Sequence, residues 1–238
     1  MAQVTERKGP GRPPGRTAQG HATRQALHDA AIDLIAERGY EQATMRDIAT
    51  RAGVSPGLLY KYFPGKQAVV LELYDTLSQR YAEASLKMRP GSWRERALFA
   101  MKASLAVLGP HRDVLVALTP VLVGDPEQGL FATSTAGSRQ RVQGVFLTAV
   151  AEASETLGRK EAESLGRILY VIHLAVILWW LLDKSPEQRA TSRLLKLLTR
   201  LGAVVGLASR LPGAKGVMRA VDGVIVDGLL GDGTAAPA

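Results

Sequence analysis

Fifteen consecutive residues, Ile168 to Leu182, read ILYVIHLAVILWWLL. His173 is the single imidazole in the run, and Arg167 and Asp183 close it at either end. A bilayer-spanning helix needs roughly 20 apolar residues, so this run is too short and reads as a buried helix. Wound at 3.6 residues per turn it is apolar around most of its circumference, and such a helix has to be covered on every side. That requirement points to a helical bundle. No segment alternates apolar and polar residues at the period of a strand, and no repeat of fixed length is present. The expected fold class is all-α.

Glycines and prolines divide the chain. A helix is expected from about Thr23 to Arg38, with Leu27, Ala31, Leu34 and Ile35 on one face. Gly39 follows at the position suited to a left-handed cap. A short helix is expected over Met45 to Ala52, with Thr44 as N-cap and Asp47 three residues on, close to a capping box. Gly53 and Val54 make a tight turn. Ser55 then caps a third helix, and Pro56 takes its first position, where a missing N–H costs nothing. A fourth helix is expected from Lys66 to about Met88. Further helices are expected over 92–108, 111–123, 127–157, 160–183, 187–209 and 215–230, with Pro90, Gly109, Pro110, Pro126, Gly158, Pro186 and Pro212 among the breaks. The expected organisation is a basic tail (1–20), a small helical domain (21–66), a larger helical domain (67–230) and a short tail (231–238).

Charge narrows the partner. The 238 residues carry a net charge of +8, and a basic surplus favours a polyanion such as nucleic acid. Residues 1–24 hold five Lys and Arg against one acid, whereas 25–66 balance at five against five. Anion binding by the small domain must therefore come from where its cations sit. The absence of cysteine excludes disulfides, thiolate metal sites and a cysteine nucleophile, and fits a cytoplasmic location. There is no nucleotide-binding glycine loop, no H-E-x-x-H and no G-x-S-x-G elbow. His21, His28, His111 and His173 form no pair at metal-ligand spacing. An enzyme is not expected, nor a metal or cofactor.

Two short helices joined by a glycine turn, after a longer first helix, form a helix-turn-helix, whose second helix enters the DNA major groove. Ile48, Ala52, Val54, Leu59 and Phe63 can supply its core. Ser55, Pro56, Gly57, Tyr60 and Lys61 are left facing outward. The tip of this helix has few side-chain donors, because Pro56, Gly57 and Leu58 cannot form bidentate bonds to a base. Specificity is therefore expected from thymine-methyl contact, Lys61, Arg46 and DNA shape.

The segment TMRDIATRAGVSPGLLYKYFPGKQAVV, preceded by a helix ending AERGY, resembles the DNA-binding segment of the TetR/AcrR family of transcriptional regulators. The resemblance runs from about Thr23 to Leu71. It implies phosphate contacts from Thr44 and Arg46, and groove contacts from Ser55, Pro56 and Gly57. It also implies phosphate or base-edge contacts from Tyr60, Lys61 and Tyr62, and a phosphate held by Lys66. The family often has a polar cap before that lysine and Glu after it; here Gly65 and Gln67 stand there, a weaker cap. The Gly-Arg-Pro core of RKGPGRPPGR resembles an AT-hook and makes Arg12 a candidate minor-groove contact.

The segment YVIHLAVILWWLLDKSPEQRATSRLL is similar to the C-terminal part of some family members. The resemblance implies that the larger domain dimerises and takes a small ligand. The helices over 160–183 and 187–209 are both too apolar for a single buried face, which suits a two-fold, four-helix interface. Met101, His111, Tyr170, His173, Trp179 and Trp180 are the candidate ligand contacts, and a small apolar or aromatic effector is expected. The expected function is a ligand-responsive repressor that binds a pseudo-palindromic operator as a homodimer. The alternative is a DNA-binding regulator with no small-molecule pocket.

Overall fold

The computed structural model describes residues 18–155, 157–208 and 213–230, and every regular element among them is helical. The chain divides into two compact units, residues 1–69 and 70–238.

The first unit holds α1 (Ala18–Arg38), α2 (Met45–Arg51), α3 (Pro56–Tyr62) and the first residues of α4 (Lys66–Ser85). α1 starts a turn before the expected Thr23, where the Thr23 hydroxyl donates to the Gln19 carbonyl at 2.9 Å. Leu27, Ala31, Leu34 and Ile35 are buried as the periodicity requires, together with Ala43, Ile48, Ala49, Leu59 and Phe63. Ala52 and Val54 are only half-buried. Gly39 ends α1 at φ +83°, its N–H donating to the Ile35 carbonyl at 2.8 Å.

The second unit takes up α4 from Val70. It continues with α5 (Trp93–Leu108), α6 (Arg112–Ala117), α7 (Thr119–Gly124), α8 (Ala136–Ala151), α9 (Arg159–Leu182), α10 (Arg189–Ala208) and α11 (Ala214–Ile225), which runs into a π-helical turn, Val226–Leu230. α9 contains the apolar run. By length and composition it could cross a bilayer, but it packs against α5, α6, α8, α10 and α11. It is the central helix of a protein core. Phe146, Leu169, Tyr170, Val176, Ala100 and Met101 are buried around it.

Charged groups pin the surrounding helices. Arg96, almost fully buried, donates from Nε to the Ala149 carbonyl at 3.0 Å and from Nη2 to Glu152 at 2.9 Å, which ties α5 to the end of α8. Arg167 grips Asp222 with two bonds of 2.7 and 2.6 Å, and Ser164 donates to the same carboxylate at 2.8 Å, which fastens α11 to α9. Asp183 accepts from the Thr191 N–H and hydroxyl at 2.8 and 2.6 Å, so it serves the open first turn of α10.

Two expected helices are corrected. The segment 111–123 is two short helices, because Pro120 has no N–H to continue the ladder. Within 127–157, α8 covers only Ala136–Ala151. Asp125 accepts from the Glu127 and Gln128 N–H groups at 2.8 Å each, an Asx-type turn that competes with helix. Gly129 then packs so tightly that a Cβ would lie 2.4 Å from the Asp125 carbonyl oxygen.

α8 lies close against α9 at Gly166. A Cβ added to Gly166 would lie 2.7 Å from Leu147 Cδ2 and 3.0 Å from its Cα. The methyl can rotate away, but the backbone cannot. Gly166→Val should therefore destabilise the protein by about 1–3 kcal/mol, the usual cost of overpacking. Chemical denaturation is the check. A variant of unchanged stability would show that α8 and α9 can separate freely.

Candidate functional site

The residues that could meet DNA lie on two helices of seven residues each. Helices this short are unstable alone, so their caps carry unusual weight. At α2, the Thr44 Oγ1 accepts from the Asp47 N–H at 3.1 Å, and the Asp47 carboxylate accepts from the Thr44 hydroxyl at 2.6 Å and its N–H at 3.4 Å. This is a complete capping box. Those hydrogen bonds and the neighbouring arginines hold the Asp47 pKa below its ordinary value. At α3, Ser55 Oγ accepts from the Leu58 N–H at 3.2 Å, and Pro56 opens the helix. The turn between them bends at Gly53, φ +67°, and closes with the Val54 N–H on the Ala49 carbonyl at 3.0 Å.

α3 is divided by face. Leu59 is fully buried, as is Phe63 just beyond the helix, while Ser55, Pro56, Gly57, Tyr60 and Lys61 are exposed. Thr44 and Arg46 are exposed at the start of α2, and Tyr62 is half-buried. A bidentate Arg51–Glu37 pair, at 2.7 and 2.5 Å, links α2 to α1.

Two cations hold the unit together in ways the motif did not reveal. Arg24 Nη1 donates to the Tyr62 carbonyl at 2.9 Å, and its guanidinium lies 4.5 Å from the centre of the Phe63 ring. Lys66 Nζ donates to the Tyr40 carbonyl at 2.5 Å and sits 4.4 Å from the centre of the Tyr40 ring. The weak cap at Gly65 and Gln67 therefore does not leave the Lys66 side chain loose. Arg12 lies outside the described residues.

The second unit contains a cavity of about 380 Å³. Its wall is mostly leucine, isoleucine, valine and phenylalanine, from α4 through α9 with Leu229 added. Of the six expected ligand contacts, Tyr170 and His173 line it. Met101 is packed into the core instead. Trp180 is buried, with its indole N–H on the Gln188 side chain at 2.6 Å, and Trp179 is about half exposed on the opposite face of α9. His111 stands in a 3₁₀ turn away from the wall. Sequence reasoning missed Tyr74, Leu77, Ser78 and Tyr81, which bring α4 into the wall. Their i, i+3, i+4, i+7 spacing was the available signal.

Burial shapes the polar groups of this cavity. His173 is fully buried, and desolvation pushes its pKa down to about 3, so the ring is neutral. Its Nε2 pairs with Ser104 Oγ at 2.8 Å, while its Nδ1 and the Tyr81 hydroxyl have no hydrogen-bond partner among the described residues. The two rings are stacked, with centres 5.8 Å apart.

Residues 27–73 match the family described as bacterial regulatory proteins, tetR family. Those residues, α1 through the start of α4, are what the chain shares with that family. It is 39% identical over 88 residues to the HTH-type transcriptional activator FasR of Mycolicibacterium smegmatis, a match covering 35% of this chain and 38% of that protein. The chain thus spans less than half the length of the curated relatives it matches. Solved structures extend the likeness of fold. A tetR-family transcriptional regulator from Streptomyces coelicolor superposes with a TM-score of 0.60 at 23% identity, over 89% of this chain and 94% of that one. The FadR regulator of Bacillus subtilis, solved in complex with stearoyl-CoA, superposes with a TM-score of 0.52 at 19% identity, over 74% and 97%.

Two outcomes are expected. Thr44→Ala removes the cap of α2 and should cost about 1 kcal/mol, with a matching loss of DNA affinity. Denaturation and DNA titration on the same variant would check it; intact binding and stability would show that α2 does not depend on its capping box. For His173, the folded-state pKa lies below the ordinary 6.5. The unfolded chain therefore binds a proton that the folded one refuses, and stability falls as pH drops from about 6.5 towards 3. His173→Gln should flatten that slope, by up to about 3 kcal/mol between pH 7 and pH 4. Urea midpoints at the two pH values measure it, and equal slopes would count against a neutral buried imidazole.

Proposed function

We propose that this chain is a homodimeric transcriptional repressor that binds a pseudo-palindromic DNA operator and releases it when a small molecule fills the cavity. The observation that carries the reading is the division of α3: Leu59 buried, with Ser55, Pro56, Gly57, Tyr60 and Lys61 exposed. A helix anchored by one face presents the other to the groove. Lys61 and Arg46 supply cations for phosphates or base edges, and the small tip formed by Pro56 and Gly57 permits close approach. Lys66 meets phosphate from the start of α4 with the one donor left beyond those given to the Tyr40 and Glu41 carbonyls. Arg12 adds a minor-groove contact from the basic tail.

The dimer is supported by apolar stripes left in water. α10 exposes Leu197, Leu201 and Val204, and α11 exposes Val217, Val221 and Val224, each at i, i+4, i+7. Leu178, Trp179 and Leu182 do the same at the end of α9. An isologous four-helix or larger interface would cover them and pair two heads for two half-sites. The cavity favours ligand control over a regulator without a pocket, and that reading is supported by the FadR regulator of similar fold, solved in complex with stearoyl-CoA. α4 carries the message, because it begins beside the reading unit and lines the cavity with Tyr74, Leu77 and Tyr81.

Selection of bound duplexes from a random pool tests this reading. The expected winner is a pseudo-palindrome bound by one or two dimers. Lys61→Ala should weaken binding to it and reduce the salt slope by about one counterion. Binding with no enriched sequence, abolished by salt, would overturn it and assign the affinity to the basic tail.

A further inference from the structure

We propose that the effector is a hydrophobic monocarboxylate whose head is held by Arg139, an inference that rests on the effector reading above. Arg139 on α8 is the one Lys, Arg, Asp or Glu side chain in the cavity wall among the described residues. It is half-buried. Its Nη1 donates to the Leu130 and Ala132 carbonyls at 3.3 and 3.1 Å, which accounts for one edge of the guanidinium. Its Nε and Nη2 bond to no carboxylate among the described residues, whereas in the same unit Arg96 Nη2 meets Glu152 and Arg167 Nε and Nη2 meet Asp222. A guanidinium facing an apolar cavity without an anion is costly, and a carboxylate matches its planar fork better than any other head group.

The neighbouring groups favour the same charge. Tyr170 also lines the wall, close enough to Arg139 for the cation to oppose the upward push of burial on its phenol. The pKa still stands at about 12, so Tyr170 keeps its proton and can donate. His173 is neutral and adds no second charge. The wall thus offers one positive charge, which a single carboxylate balances. A dianionic phosphate ester would leave one charge uncompensated, and an amine would meet repulsion. The rest of the wall, including Leu77, Leu115, Phe131 and Ile177, suits an alkyl or aryl body.

The test uses the full chain and a matched pair of probes, decanoate and decanol, titrated by calorimetry and followed by release of the selected duplex. Decanoate should bind at one per chain at least tenfold more tightly than decanol. Arg139→Met should remove that preference while leaving ligand-free DNA affinity unchanged, and Arg139→Lys should retain part of it. Should neither variant fold, the decanoate-to-decanol ratio of the unmodified protein still decides. Equal or tighter binding of decanol would overturn the carboxylate assignment and leave the effector cavity standing. Binding of neither probe would overturn the assignment together with the cavity reading.

Discussion

α9 is apolar around most of its circumference along its second half, and α5, α6, α8, α10 and α11 all pack against it. α8 lies close along one side because Gly166 has no side chain. α11 is fastened by Arg167, Asp222 and Ser164, and α5 passes behind with Ser104 on His173. Each fully covered leucine or valine gains roughly 1.5–3 kcal/mol over its exposed state. One arc of the helix lines the cavity, while Trp179 and Leu182 at its end are exposed. The cavity is thus a consequence of the same packing: side chains from α4, α6 and α7 reach Tyr170, His173, Leu174 and Ile177 but do not fill the space between.

The reading unit solves a different problem. It is too small for a large core, so its two short helices depend on local bonds made by Thr44, Asp47 and Ser55 and on clamps from a distance. Arg24 holds the C-terminal end of α3 through the Tyr62 carbonyl, and Arg51 holds α2 to α1 through Glu37. These cations are committed to protein groups. The cations of the first unit thus divide: Arg24 and Arg51 fix the geometry, while Arg46 and Lys61 remain exposed.

How far these features could be read in the sequence depended on range. α1 to α3, the capping box, the Ser55–Pro56 start and the turn at Gly53 are decided within a few residues, and their boundaries were legible almost to the residue except at the start of α1, which lies at Ala18 rather than Thr23. The apolar run marked α9 just as clearly. The break at Pro120 and the loop before α8 were not legible, because apolar residues continue through both. What stops the helix there is Pro120's missing N–H, the Asx turn at Asp125 and the tight fit of Gly129. The cavity wall was half legible. Tyr170 and His173 stand out on an apolar helix, but Trp179 and Trp180 share that prominence and face elsewhere. Arg139 carried no signal at all, since an arginine on a helix reads as a solvated face until the opposing wall is known.

The placement of α4 sets what a ligand can do. An effector shifts an equilibrium only by the difference in its affinity for the two states. Tyr74, Leu77 and Tyr81 stand on the helix that begins at Lys66, so their packing against a ligand can differ between a conformation that fits DNA and one that does not. A tenfold preference for one state requires about 1.4 kcal/mol, less than the burial of one leucine side chain. The Tyr81 hydroxyl, in an otherwise mostly apolar wall, has no hydrogen-bond partner among the described residues. A ligand that hydrogen-bonds it in one position of α4 and not in another would supply that difference from a single bond. In the proposed reading, α4 begins with Lys66 anchored on the Tyr40 carbonyl and carries Tyr81 into the cavity wall four turns further on.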